Sequence, residues 1–491
     1  MSDNMKLVAD PAAVDEQHKA GKLTARERVE KLLDDNSFVE IGCYVQHSST
    51  AFGIDKQAPG DGVITGYGTI DLRPVYIYAQ DFTVFEGSLS AANAQKICKT
   101  YEMALKNGVP VIAVLDSAGA RIQDGVAALD GYAKVMRCAA RASGVIPQIC
   151  VAAGPCVGAS AVIAGLADFV YAVEKISCIS MTGAQILASQ EEKDVSAEGL
   201  GGAAVSVEKG LAHFACASEE EAFASLKALL NLLPSNNVED APYDYEEIDD
   251  FNRPIEASQD AAAIASMIAD NQSFLEVQKG YGNVVLNGFA KLGGRTAGIV
   301  AITSGSGEGR LGVADCIKAA RFIRFCDSFN IPVVSLIDSA GFAISTCEEK
   351  HSLTKHASQL AYAYAEATVP LVSVIVGKAI GGVYAVMGSH GIGADVVYAY
   401  PNAVIAPLNG PAAVTILMKD QLTEADPVAQ RKSLEKEYEE TYASPAAAAK
   451  LGSVDDVIEP AQTRQMVISA LDMQASKREV TPSKRHGNLP L

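Results

Sequence analysis

The chain has 491 residues, a net charge of −19, a 49% share of apolar residues and no tryptophan. That length suits two or three domains with a large core, and that apolar share excludes wholesale disorder. The excess of 59 acidic over 40 basic residues excludes a general nucleic-acid or anionic-membrane binder, while leaving room for a local basic pocket.

The opening residues, MSDNMKLVAD, carry no apolar core behind a basic patch, so no signal peptide is expected. Thr24, three residues before Glu27, is a capping box that opens a helix over TARERVEKLLDDNSF (24–38). Short strands with hairpin glycines are expected in GDGVITGYGTI (60–70) and RPVYIYAQDF (73–82), then a helix near 90–107. VPVIAVLD is almost continuously apolar, as in a strand that helices cover on both faces. The uncharged stretch from Ala142 to Ala167 is interrupted by Pro147, Gly154, Pro155 and Gly158, which argues against a membrane span. An acidic linker is expected at LPSNNVEDAPYDYEEIDDFNRP (233–254). Beyond it come a strand pair within 280–301 and a helix near 312–329. The ten cysteines form no C-x-x-C pair, so neither a zinc ribbon nor a disulfide framework is expected, and the chain reads as cytoplasmic.

The chain is internally duplicated. VPVIAVLDSAGARI (109–122) returns as IPVVSLIDSAGFAI (331–344), and GVIPQICVAAGPCVGASAV (144–162) as TVPLVSVIVGKAIGGVYAV (368–386). ADFVYA (167–172) pairs with ADVVYA (394–399), and DDNSFVE (34–40) with DNQSFLE (270–276). Four anchors in one order predict two homologous α/β domains, 1–245 and 246–491, built from strand–turn–helix units with right-handed crossovers.

Glycine-rich turns recur at matching places: DSAGARIQDG and GPCVGASAV in the first half, DSAGF and GKAIGGVYAV in the second. Such a turn entering a helix exposes unpaired N–H groups at the positive end of the helix dipole. Two neighbouring turns aim two donors at one oxygen, so each half carries the parts of an oxyanion hole. Close helix–strand packing would also use those glycines, but four turns in duplicated pairs favour function. Asp116 and Asp338 are expected to cap helices rather than act as bases. Lys318, Arg321 and Arg324 are expected to share a solvated helix face. His351 and His356 lack further ligands for a metal site, and no P-loop motif occurs.

These residues, together with TARERVEKLLDDNSFVE, QDFTV, KAARFIRFCDSFNIP, YAEATVP and the closing KRHGNLPL, carry a resemblance. Nearly end to end, the chain resembles the carboxyltransferase subunits of biotin-dependent acyl-CoA carboxylases and of sodium-pumping acyl-CoA decarboxylases. The nearest patterns are the β subunit of propionyl-CoA carboxylase and the α subunit of methylmalonyl-CoA decarboxylase. The resemblance implies two tandem crotonase-like domains in a homo-hexamer, a dimer of trimers. The first domain would hold a short-chain acyl-CoA, and the second carboxybiotin on a separate biotin carboxyl carrier protein. A biotin carboxylase or membrane decarboxylase pump subunits would be further partners. By motif, the amides of Ala120 and Gly158/Ala159 would hold the thioester oxygen, and those of Phe342 and Gly382/Val383 the ureido oxygen. Gly119, Gly154, Gly341, Gly381 and Ala385 would line the substrates, and no metal is implied.

Several stretches depart from the family pattern. Phe85 to Asn93 replaces x-G-G-S-L-G-E-x-H, and Ser304-Gly305-Ser306 stands for N-Q-P. Ser339 to Thr346 replaces V-P-G-F-L-P-G-T, and Cys347 to His356 replaces Q-E-x-G-G-I-I-R-H-G. Ala385 stands where carboxylases commonly have Asp, a lean towards decarboxylation. Two other readings stay open: a non-catalytic CoA-binding scaffold, and a biotin-independent crotonase-like hydratase or hydrolase. The chain has neither an A-M-K-M biotinylation sequence nor an ATP site, so charged biotin would arrive on a partner.

Overall fold

The computed structural model describes residues 10–47, 58, 60–191, 194–246, 248–258, 260–304, 308–421 and 427–490. The first nine residues and the Gly305-Ser306 pair, both of which carried expectations, lie outside them.

Two compact units divide the chain, Met1–Glu239 and Asp240–Leu491. Their sheets share one plan. The first contains β1 (Val39–Glu40), β2 (Val63–Ile70), β3 (Arg73–Gln80), β4 (Val111–Ser117), β5 (Gln148–Val157), β6 (Phe169–Val173), β7 (Cys178–Ser180) and β8 (Phe214–Cys216). The second contains β9 (Leu275–Val277), β10 (Val285–Leu292), β11 (Arg295–Ile302), β12 (Val333–Ser339), β13 (Leu371–Ile380), β14 (Val396–Ala399), β15 (Val404–Ala406) and β16 (Asp456–Val457). The strand order is β1-β2-β3-β4-β5-β6-β8 with β7 beside β5, and β9-β10-β11-β12-β13-β14-β16 with β15 beside β13. In each sheet the first three strands are antiparallel and the remaining pairings parallel.

The central strands β4 and β12 are buried at every residue, because helices pack over them. The capping box expected at Thr24 is present: its Oγ1 accepts from the Glu27 N–H, and Glu27 accepts from the Thr24 N–H at 2.8 Å. The uncharged stretch 142–167 is the end of one helix, strand β5 and the helix Ala159–Leu166. Among the described residues no helix is long and apolar enough to cross a membrane. All ten cysteines are free thiols. The acidic stretch is held at its start and at its middle. Arg73 donates to the Leu233 carbonyl at 2.8 Å, whereas Asp244 N–H bonds the Gly294 carbonyl at 2.8 Å.

One hairpin corrects the expectation of glycine turns. The β10–β11 turn is Gly293-Gly294, but the β2–β3 turn is Asp71-Leu72, with φ of 48° and 64°. Asp34 holds this unfavourable left-handed pair by accepting from both N–H groups, at 3.0 and 2.9 Å.

A buried lysine also recurs. Lys96 donates to the carbonyls of Gly60 and Val63, and Lys318 to the Gly282 carbonyl at 3.5 Å. Lys318 is therefore removed from the solvated face expected for it with Arg321 and Arg324. Residues three apart turn 60° around a helix at each step, which carries Lys318 into the interior. Burial pulls both amines down to about 8 from the ordinary 10.5. Between those values the unfolded chain binds more protons than the folded one, so stability rises with pH across that window. Below it the penalty for burying the charge is fully present. We expect the unfolding free energy from urea titration to climb above pH 8, by up to about 1.4 kcal/mol per pH unit for each lysine, until unfolded-state tyrosines ionise. A Lys96→Met protein with the same slope would exclude this origin.

Candidate active site

The turn after β4 is built by backbone pairing with the loop at Leu89. The Leu89 N–H donates to the Gly119 carbonyl, and the Arg121 N–H to the Leu89 carbonyl, both at 3.0 Å. In extended chain, successive amides point to opposite sides. The Ala120 N–H therefore points away from Leu89, and it has no hydrogen-bond partner among the described residues. Gly119, at φ 112°, makes the corner.

The neighbouring turn follows β5. Gly158, at φ 65°, donates its own N–H to the Ser180 carbonyl at 2.9 Å. Among the described residues the amide left open here is that of Ala159, the first residue of the helix Ala159–Leu166. The next residue, Ser160, is buried, and its hydroxyl has no partner among the described residues. The two turns are adjacent: a Cβ placed on Gly119 would stand 3.8 Å from the Val157 carbonyl oxygen.

The second unit repeats this geometry. The Leu311 N–H donates to the Gly341 carbonyl at 3.1 Å and the Ala343 N–H to the Leu311 carbonyl at 2.9 Å, leaving the Phe342 N–H facing the other way. Gly381, at φ 63°, donates to the Ala406 carbonyl at 2.9 Å, so among the described residues Gly382 and Val383 carry the open amides of the helix Gly382–Val386. A Cβ on Gly341 would lie 3.6 Å from the Ile380 carbonyl oxygen. The structure thus matches Gly158 with Gly381, and Ala159 with Gly382. Ala385 is exposed on the same face of its short helix as Gly382. Gly154 lies inside β5, buried before the turn. Each pair of open donors can stabilise an oxygen that gains negative charge, without any side-chain base.

Asp116 and Asp338 cap no helix, which corrects the expectation from sequence. Each sits where the register of neighbouring strands slips, between Leu115 and Ser117 on β4 and between Ile337 and Ser339 on β12. The carboxylate folds over a glycine of the next strand: a Cβ on Gly154 would overlap Asp116 Oδ1, and one on Gly377 would overlap Asp338 Oδ1. Their partners differ for a covalent reason. Asp338 Oδ1 accepts the Lys378 N–H at 2.8 Å, but the matching residue in the first unit is Pro155, which has no N–H.

Asp116 is instead held by side chains. Lys22 Nζ lies 2.9 Å from Oδ1, and Arg28 Nη1 and Gln17 Nε2 lie 2.9 and 3.0 Å from Oδ2. Arg28, fully buried, also donates to Glu219 at 2.6 Å and to the Ala153 carbonyl at 2.7 Å. Its two carboxylate partners hold the guanidinium charged against the desolvation that burial imposes. A second buried ion pair joins Arg121 to Asp61, and Arg121 also donates to the Ser88 carbonyl at 3.0 Å. This pair locks the Ala120 turn onto its loop. Sequence reasoning missed both networks. Arg28 and Arg121 stand inside quoted motifs, but burial of a charge leaves no periodic signal.

His351 Nδ1 donates within its own helix turn to the Cys347 carbonyl at 2.9 Å, and His356 pairs with Gln359 at 2.8 Å. Among the described residues no group of three potential ligands could hold a metal ion.

Comparison with known proteins agrees with this two-unit plan. The carboxyl transferase domain model matches residues 16–489. The chain is 44% identical to a propionyl-CoA carboxylase carboxyltransferase subunit from Haloferax mediterranei, over 97% of this chain and 95% of that one. It is equally 44% identical to a methylmalonyl-CoA decarboxylase subunit alpha from Veillonella parvula, with the same coverage. The solved transcarboxylase 12S structure, a hexamer with methylmalonyl-coenzyme A and methylmalonic acid bound, superposes with a TM-score of 0.94. That match has 39% identity and covers 99% of this chain and 96% of the other. With a family model spanning almost the whole length, relatives of this identity and one shared two-sheet plan, the chain belongs to the carboxyl transferase domain family.

Proposed function

We propose that this protein is a cytoplasmic carboxyltransferase subunit that moves a carboxyl group between biotin on a carrier protein and a short-chain acyl-CoA such as propionyl- or methylmalonyl-CoA. The observation that carries this is the duplicated pair of open amides: Ala120 with Ala159, and Phe342 with Gly382. A reaction that passes charge between two oxygens needs two such sites, whereas a hydratase or hydrolase needs one.

In this reading the amides of Ala120 and Ala159 hold the thioester oxygen. When the bond from the α-carbon to the carboxyl group breaks, its electrons become an enolate whose charge those amides carry. The amides of Phe342 and Gly382 fit the ureido oxygen of biotin, which arrives as a substrate and supplies a nitrogen that takes up or yields CO2. The ureido proton passes to the α-carbon in one direction and returns in the other, so no side-chain base is consumed. Holding both reactants in line adds a further large entropic advantage. The assembly is a homo-hexamer, as in the 12S relative, with a biotin carboxyl carrier protein and either a biotin carboxylase or a decarboxylase pump as partners.

The test is to incubate the purified chain with free biotin and a panel of acyl- and carboxyacyl-CoAs, following carboxyl gain or loss by mass spectrometry. Biotin-dependent conversion of methylmalonyl-CoA to propionyl-CoA, or its reverse, is the expected result. Silence across the panel with CoA-ester binding intact would favour the scaffold, and biotin-independent turnover would favour the hydratase or hydrolase.

A further inference from the structure

The two units share one backbone plan around their turns, so a difference in side chains there isolates what each unit does. The Leu89–Ala120 and Leu311–Phe342 bridges match Ser88 with Arg310, and the strand registers match Pro155 with Lys378. Around its open amides the first unit therefore has two neutral residues where the second has two cations.

The placement of these cations is specific. Arg310 Nη1 lies 3.4 Å from the Phe342 carbonyl oxygen, which leaves the chain on the same edge as the open Phe342 N–H. Lys378 lies in the β13 segment that leads into the Gly381 turn. Between them stands a single carboxylate, Glu308, with Oε2 3.4 Å from Arg310 Nη2 and Oε1 3.8 Å from Lys378 Nζ. Glu308 is 58% exposed and its contacts are long, so the pairing is weak and exchangeable. Its counterpart Glu86 has the same left-handed backbone, with φ of 53° against 58°, but makes no ion pair among the described residues, the nearby Arg121 being paired with Asp61. Glu308 thus shows where a carboxylate rests between the two charges.

We propose that Arg310 and Lys378 form a clamp for the carboxylate in transit, beside the open Phe342 amide, with Glu308 as its internal competitor. The clamp rests on the carboxyltransferase reading, because a passing carboxylate is what it serves. It makes the second unit the side on which the free carboxylate is held and leaves the first unit neutral around its oxygen site. The carboxylate is that of carboxylated biotin or that of the carboxyacyl-CoA, and the same charges suit either.

The test compares the wild-type chain with an Arg310→Met/Lys378→Met double variant and with Glu308→Gln, using free methylmalonate as a binding probe and the free-biotin transfer assay. The double variant is expected to bind methylmalonate about tenfold or more weakly and to lose transfer by a similar factor, with propionyl-CoA binding and the urea midpoint unchanged. Glu308→Gln is expected to tighten methylmalonate binding. A raised KM for methylmalonyl-CoA assigns the clamp to the acyl carboxylate. A lowered kcat with that KM unchanged assigns it to the carboxyl on biotin. Equal methylmalonate affinity in wild type and double variant overturns the clamp. A wild-type chain that transfers nothing overturns the functional reading instead, and the methylmalonate comparison still decides the clamp.

Discussion

Ala159→Pro is expected to lower carboxyl transfer by about 10²–10³-fold while leaving the protein folded. Proline suits the first position of a helix, where the N–H has no intrahelical partner and φ is already near proline's own value. Ala159 holds that position, and Gly158 before it, at φ 65° and ψ −123°, has the conformational freedom to precede proline. The substitution removes one donor from the pair formed with Ala120 and places ring carbon where the thioester oxygen would sit. Few residues allow a backbone donor to be deleted at so small a structural cost. The measurements are steady-state transfer from methylmalonyl-CoA to free biotin and the urea midpoint. Ser160→Ala is the control, because it removes the unpartnered hydroxyl but keeps the amide. Turnover near wild type in Ala159→Pro would remove the first unit's amides from the mechanism.

Gly154→Ala carries the largest expected effect on stability, a loss of at least about 3 kcal/mol. The new methyl would overlap Asp116 Oδ1, and that carboxylate has nowhere to go. Lys22, Arg28 and Gln17 fix it, and Arg28 is itself tied to Glu219 and Ala153. Moving Asp116 would leave charges buried without their partners, which costs far more than an overpacked apolar contact. Gly377→Ala makes the same overlap with Asp338, but among the described residues only the Lys378 N–H holds that carboxylate, so it has more freedom to rotate. The expected order of urea midpoints is wild type, then Gly377→Ala, then Gly154→Ala. The reverse order would show that the ion cluster around Asp116 does not lock the strands.

The duplication, the α/β class and the four glycine turns were legible because they rest on local chemistry. Apolar runs such as VPVIAVLD follow from burial on both faces, and Thr24 with Glu27 forms its cap within one turn of chain. The turns announce themselves because only glycine readily adopts the φ of Gly158 and Gly381. Which amide each turn leaves open was not legible: Gly158 looked as available as Ala159 until its N–H was seen to reach Ser180. The partners of Asp116 come from residues 17, 22 and 28, and the second carboxylate on Arg28 from residue 219, all far away in sequence, and no spacing rule connects them. Lys318 shows the same limit, since a charged residue at regular spacing reads as solvated until packing buries it.

The net charge of −19 and the glycine-rich turns thus followed from composition and short-range stereochemistry, which each residue carries with it. The adjacency of the Gly119 and Gly158 turns, the covering of Gly154 by Asp116, and the gathering of Arg310 and Lys378 around Glu308 belong to the tertiary structure. Hydrogen-bond saturation and charge pairing are properties of neighbours in space, and only the folded sheets bring those neighbours together.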